Sequence, residues 1–237
     1  MKQTFKMEKV DGRYYFHDGK KYSLIDTGLK SVASADGTIG DFKVDMLDAA
    51  WYKRFNPTVM PDGSNVAGTL CPTMGYSCLM RGDGTVTIDN GATELPEHDW
   101  FLPYVRNNAN PFATYIECAI DGKKKLLLFD SGMRMAVSDD KSLIEGKQKL
   151  GEINESIGWM YMSATAPYYE ATFEFPCGFK FDGHIEYDYS GFLVKKFFGE
   201  ERDDHDKGFL GIEFFDKYDV FLSGIEGKKG MALIKRK

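Results

Sequence analysis

Two short polar strings carry the chemistry in this chain: Asp26-Thr27-Gly28 and Asp130-Ser131-Gly132, 104 residues apart. Each residue type has a physical use. The Asp supplies a carboxyl group, the Thr or Ser a hydroxyl that can bond a neighbouring backbone, and the Gly the freedom for a sharp turn and a close approach. One such triplet, in a chain with seven Asp-Gly dipeptides, reads as one more turn. Two copies read differently, because a repeated polar core marks two copies of one structural unit, each kept for a job. "KKYSLIDTGLK" at 20–30 and "KKKLLLFDSGMR" at 123–134 both run from lysines through an apolar stretch into the acid, then on to an apolar and a basic residue. The chemistry is therefore to be sought at Asp26 and Asp130.

Strands must position these acids. Asp-Gly pairs beginning at Asp11, Asp18, Asp36, Asp62, Asp83, Asp121 and Asp182, with Asn90-Gly91, punctuate runs rich in Tyr, Phe, Ile and Val. Such pairs tolerate the positive φ angles of tight hairpins. "TYIECAI" alternates before Asp121-Gly122 and "LLLF" follows it, which predicts a hairpin whose second strand is deeply buried; "RYYFH", Asp18-Gly19 and "YSLI" repeat the layout. Helix signals are confined to 45–55 and 138–150, the latter with Ser138 as N-cap. The expected class is mainly β with a few short helices. Two prolines and clustered acids in "ATELPEHDWFLP" at 92–103 interrupt the strand pattern and divide the chain into lobes of residues 1–97 and 98–237.

Composition excludes several functions. The net charge is −6, the sequence pI is about 5.3, and no basic run exceeds the triplet 123–125, so nucleic acid is not an expected partner. No stretch approaches the roughly 18 apolar residues of a membrane helix. The start, "MKQTFKMEKVDGRYYF", has no apolar segment of signal-peptide length, so the expectation is a cytoplasmic protein, with an exported form that has lost its leader as the alternative. Cys71, Cys78, Cys118 and Cys177 are too sparse for a disulfide framework and read as small, partly buried hydrophobes. "DDHD" at 203–206 reads as a solvated acidic loop rather than a metal site, since no second ligand cluster accompanies it. No metal and no cofactor is expected.

The two triplets, each after an apolar pair, resemble those of the aspartic peptidases of the pepsin-like and retropepsin-like fold. That family carries, further along each lobe, an apolar-apolar-Gly element that packs beneath the acid loop. "KGFLGIEFFDKYDVFLS" at 207–223 resembles it through Phe209-Leu210-Gly211, with "YDVFL" as the strand after it. In the first half "AGTLCPTMGYSCLM" at 67–80 falls at the corresponding place with Cys71 where the family has Gly, and "TVTID" at 85–89 resembles the closing strand.

The resemblance implies a two-lobed β-barrel enzyme with a pseudo-twofold axis, Asp26 and Asp130 meeting in the cleft as catalytic groups. Thr27 and Ser131 would brace the loops, Gly28 and Gly132 would let them approach, and Gly211 would underlie the second. The substrate would be a peptide or protein, attacked by water held between two carboxyls that share one proton, as such pairs do when about 3 Å apart. A monomer is favoured. Two departures point elsewhere: Leu29 and Met133 stand where the family has small residues and are expected to narrow the site, and a covering flap has only two candidates, "SADGTIGDF" at 34–42 and "GWMYMSATAPYY" at 158–169. The alternatives are a non-catalytic protein of the same fold that binds extended peptides, or a homodimeric retropepsin-style enzyme pairing Asp130 from two chains.

Overall fold

Six of the seven Asp-Gly pairs form turns, with Gly12, Gly19, Gly37, Gly63, Gly84 and Gly122 all at positive φ. At Asp11-Gly12 and Asp121-Gly122 both residues are left-handed (φ 48° and 75°, 50° and 80°), the geometry whose twist matches a two-residue hairpin. The seventh, Asp182-Gly183, lies inside a strand; a Cβ on Gly183 would come within 2.8 Å of a Glu213 carboxyl oxygen. Glycine there makes room for a carboxylate.

The structure, a computed structural model, describes residues 1–236 apart from 30, 49, 51, 54–55, 57, 92–93, 108–109, 158–161, 192, 195–207 and 225–228. Strands of the first half are β1 (Lys2–Val10), β2 (Arg13–His17), β3 (Tyr22–Ile25), β4 (Val32–Ser34), β5 (Thr38–Ile39), β6 (Phe42–Lys43), β7 (Asp45–Met46), β8 (Val66–Leu70), β9 (Ser77–Met80) and β10 (Thr85–Asp89). Then come β11 (Trp100–Pro103), β12 (Val105–Asn107), β13 (Asn110–Ile120), β14 (Lys123–Phe129), β15 (Ala136–Ser138), β16 (Gly151–Ile157), β17 (Met162–Glu174) and β18 (Lys180–Tyr187). The last are β19 (Phe209–Leu210), β20 (Tyr218–Ser223) and β21 (Gly230–Lys235).

Among the described residues eleven strands form one sheet in the order β11-β21-β20-β9-β10-β1-β2-β3-β8-β4-β7, and eight form a second, β12-β13-β14-β19-β15-β18-β17-β16. The protein is thus mainly β and two-lobed. The end of the chain crosses back: β20 pairs antiparallel with β9, Phe221 opposite Leu79, and β21 carries β11 on its far side. The first sheet therefore draws strands from both ends of the chain, while residues 105–210 supply the second.

The strands that lead into the two acids are paired alike. Each acid follows the second strand of a hairpin, β2–β3 or β13–β14, and each of those strands is flanked by a parallel partner, β8 or β19. Parallel strands are buried on both faces, which is why "YSLI" and "LLLF" read as continuous rather than alternating apolar runs. A large core cluster includes Phe16, Ile25, Phe129, Phe214, Phe215 and Leu222. Two satellites lie beside it, one around Tyr15, Leu24 and Tyr52, the other around Tyr115, Leu128 and Val194.

Helical structure is scarcer than the sequence suggests. Within 45–55, Asp45–Met46 is strand, and helical backbone begins beyond it, with Tyr52 N–H donating to Asp48 and Asn56 N–H to Tyr52. The stretch 138–150 is not a helix: Ser138 belongs to β15, paired in parallel with Tyr187, and a single 3-10 turn, Lys141–Leu143, is capped by Asp140. Gly146 at φ 75° ends the helical path. Cys71, Cys78 and Cys118 are buried, but Cys177 is exposed between β17 and β18. Among the described residues no helix is long and apolar enough to cross a membrane.

Candidate active site

The end of β3 and the end of β14 deliver Asp26 and Asp130 to one place. Asp26 N–H donates to the Leu70 carbonyl at 2.9 Å and Asp130 N–H to that of Leu210 at 3.0 Å, so each acid is held by the parallel strand beside it. Leu70-Cys71 and Leu210-Gly211 are thus equivalent in space.

The hydroxyl residues then tie one loop to the other. Thr27 Oγ1 donates to the Phe129 carbonyl (3.0 Å) and accepts from Ser131 N–H (2.9 Å). Ser131 Oγ donates to the Ile25 carbonyl (2.8 Å) and accepts from Thr27 N–H (2.9 Å). These four bonds, all buried and all crossing between the lobes, form a closed ring with pseudo-twofold symmetry. Gly28 and Gly132 make the approach feasible: a Cβ on Gly28 would sit 2.4 Å from the Asp130 carboxyl, and one on Gly132 would sit 3.2 Å from that of Asp26.

The two carboxyls are close enough for each to act on the other's titration. Their surroundings differ. Asp26, 7% exposed, accepts from the N–H groups of Gly28 (2.9 Å) and Leu29 (3.0 Å) on one carboxyl oxygen; Asp130 accepts from Gly132 N–H (2.8 Å), its one backbone donor among the described residues. Burial raises both acids above the usual carboxylate range. For Asp130 the charge of Asp26 adds to the rise, whereas the two N–H donors, the bond from Asp130 and the Arg13 guanidinium pull Asp26 back down. Burial thus favours a shared proton on the pair, and the two N–H donors on Asp26 against one on Asp130 favour the charge on Asp26.

Leu29 and Met133 do not narrow this site. Leu29 packs into the satellite around Tyr15, Leu24 and Tyr52, and Met133 into its counterpart around Tyr115, Leu128 and Val194. Each lobe has a pocket of its own for the bulky side chain behind its acid loop, so neither is wedged between the carboxyls. Cys71 is likewise absorbed: its buried Sγ lies 3.7 Å from the Thr27 carbonyl and 2.9 Å from Thr73 Oγ1.

The hairpin at 34–42 is real but points away from the acids. Its Gly40 accepts no free cleft: the N–H donates to Asp18, a Cβ there would meet Gln3 and Phe5, and Ile39 and Phe42 are core residues. Gln3 and Phe5 lie towards the start of β1, at the opposite end from the Asp11-Gly12 turn that adjoins the acid loop. In the 158–169 stretch, residues 158–161 lie outside the described residues, as does the acidic stretch 203–206. Arg134 donates to the Asn154 carbonyl of β16 at 3.4 Å, which brings the middle of β16 to the second acid loop.

No family model matches the chain, and no curated protein matches it in sequence. Among solved structures it is similar to the aspartic proteinase from Irpex lacteus, with a TM-score of 0.54 and 11% identity over 100% of this chain and 98% of that one. The fold is pepsin-like. At that identity the likeness is one of fold alone, and the chemistry must be argued from the residues.

Two residues close to the acid loops escape sequence reasoning. Arg13 donates through Nε to the Gly132 carbonyl at 2.6 Å, and buried Tyr52 lies close enough to feel the Asp26 charge, which with burial pushes its hydroxyl above the ordinary range. Neither sits in a motif. Gly211, by contrast, was legible, and its necessity is steric: a Cβ would meet the Met135 backbone at 2.5 Å. Gly211→Ala is expected to cost about 2–3 kcal/mol, as overpacking against backbone does. Cys71→Gly, at the equivalent position, should cost less; comparing the two urea midpoints checks this.

Proposed function

We propose that this protein is an aspartic-type peptidase that hydrolyses peptide bonds with water activated between Asp26 and Asp130. The observation that carries the reading is the meeting of the two acids within one chain, braced by the reciprocal Thr27–Ser131 ring. That arrangement favours one intramolecular site over a homodimer that pairs Asp130 with Asp130. The packing of Leu29 and Met133 into the satellite clusters supports the catalytic reading over a purely binding one.

Asp26 is the base. Water held between the carboxyls gives a proton to Asp26 as its oxygen bonds the scissile carbonyl carbon, while Asp130 protonates the carbonyl oxygen. The resulting diol collapses as Asp26 returns its proton to the amide nitrogen, the C–N bond breaks, and Asp130 recovers a proton from a diol hydroxyl. No covalent acyl intermediate is needed.

The test is cleavage of a diverse peptide pool from about pH 3 to 8, where a shared-proton pair operates. Wild type is expected to produce new peptide termini and Asp26→Asn none, with one active site titrated per chain. Full activity in Asp26→Asn would overturn the reading. Binding of extended peptides without cleavage at any pH would replace it with the binding module.

A further inference from the structure

The acid pair is built by a repeat, but one of its neighbours is not repeated. The left-handed Asp11-Gly12 turn opens β2 with Arg13, whose Nε–H donates to the Gly132 carbonyl of the opposite lobe at 2.6 Å. The turn is seated on that loop. A Cβ on Gly12 would fall 2.8 Å from Arg134 Cγ, so glycine lets the Arg134 stem lie directly on the turn. Strand register locates the counterpart of Arg13: Tyr15 faces Leu24 two residues before Asp26, and Tyr115 faces Leu128 two residues before Asp130. The matching position is 113, where the sequence has alanine. One guanidinium therefore serves both acids, and its charge opposes the burial that raises each of them.

Other ionisable groups stand near it among the described residues. Asp11 precedes it on the turn and, with Arg13, acts on Tyr15 two residues along β2. Tyr52 faces Asp26 from the helical segment, and Arg134 lies on the second acid loop. Tyr15 and Tyr52 are both raised, chiefly by burial, and stay neutral throughout the range in which carboxyls titrate.

We propose that Arg13 is a positioning residue of the acid pair: anchored on the Gly132 carbonyl, it fixes the Asp130 loop against the first lobe and holds one positive charge beside both carboxyls, setting the pH range over which they share a proton. The titration is a property of the folded chain; its effect on rate rests on the peptidase reading. Arginine suits the role because its Nε–H bonds the carbonyl while the planar group keeps its charge at all relevant pH.

The experiment follows the 13C carboxyl resonances of labelled Asp26 and Asp130 against pH in wild type, Arg13→Gln and Arg13→Lys, with peptide cleavage measured alongside. Arg13→Gln is expected to raise the upper titration midpoint of the pair by about one pH unit and to move the alkaline limb of the rate profile by the same amount. Arg13→Lys retains charge and should restore most of the midpoint, but loses the planar anchor and so lowers kcat. Unmoved midpoints in Arg13→Gln, or equal shifts in both variants, would overturn the proposal even if cleavage is robust. Shifted midpoints in a chain that cleaves nothing would leave the proposal standing and remove the peptidase reading.

Discussion

Asp130→Asn is expected to abolish cleavage yet make the protein more stable at neutral pH. Asparagine can keep the geometry, its oxygen accepting from Gly132 N–H and its amide donating to Asp26, so the loss of rate, at least 10³-fold, reflects the missing proton donor. The stability effect follows from the same burial. In the folded chain the Asp130 carboxyl is raised above its unfolded value, first by desolvation and then by the Asp26 charge. Such a group favours the folded state fully below its unfolded value, and the contribution is lost as pH rises through the folded one. Wild type therefore loses more stability above about pH 4 than the asparagine variant, which keeps only the raised Asp26. After allowance for the partial exposure of Asp130, the expected gain is about 1–3 kcal/mol at pH 8 and none at pH 3. Thermal unfolding of both proteins across that range checks it. A variant equally destabilised at every pH would mean that the pair is not a strained, proton-sharing site.

How much of this was readable in the sequence depends on the kind of interaction. Turns were legible because Asp11-Gly12 and Asp121-Gly122 need positive φ, a local property of the residues. The buried parallel strands were legible as apolar runs, and the two acid triplets stood out in the sequence at the ends of such runs. Long-range placement was not. Nothing in "YDVFL" says that β20 pairs with β9 in the sheet of the other half, because strand periodicity fixes which face is buried and not which neighbour lies alongside.

The misreadings have the same origin. Leu29 and Met133 looked obstructive because their satellites are assembled from distant segments: Leu29 from Tyr52, Met60 and Val66, Met133 from Leu193, Val194 and Phe209. The 138–150 stretch has helix-forming residues, but its first residue is claimed by β15 and its path is turned by Gly146. Arg13 gave no signal, since a basic residue after a hairpin turn is ordinary until the turn is found resting on the opposite acid loop.

The reciprocal hydroxyls should prove to be the point at which stability and catalysis are least separable. Thr27→Val preserves shape but leaves the buried Ser131 N–H and Phe129 carbonyl without the partner they share. Ser131→Ala does the same to Thr27 N–H and the Ile25 carbonyl. Each unsatisfied buried group costs about 1–3 kcal/mol, so each variant, leaving two of them, should lose about 2–6 kcal/mol. Because the four bonds close a ring, the double variant should lose less than the sum, the second cut falling on a ring already open. The carboxyls would also drift, and a misplacement of about 1 Å can cost on the order of 10²-fold in rate. Thr27→Ser and Ser131→Thr keep the hydroxyls, and each puts into one lobe the residue that the other already uses, so both should stay close to wild type. Denaturant midpoints and kcat for the five variants decide the matter: if Thr27→Val loses no more than Thr27→Ser, the hydroxyl ring does not join the lobes, and the close approach at Gly28 and Gly132 must hold the acids together by packing alone.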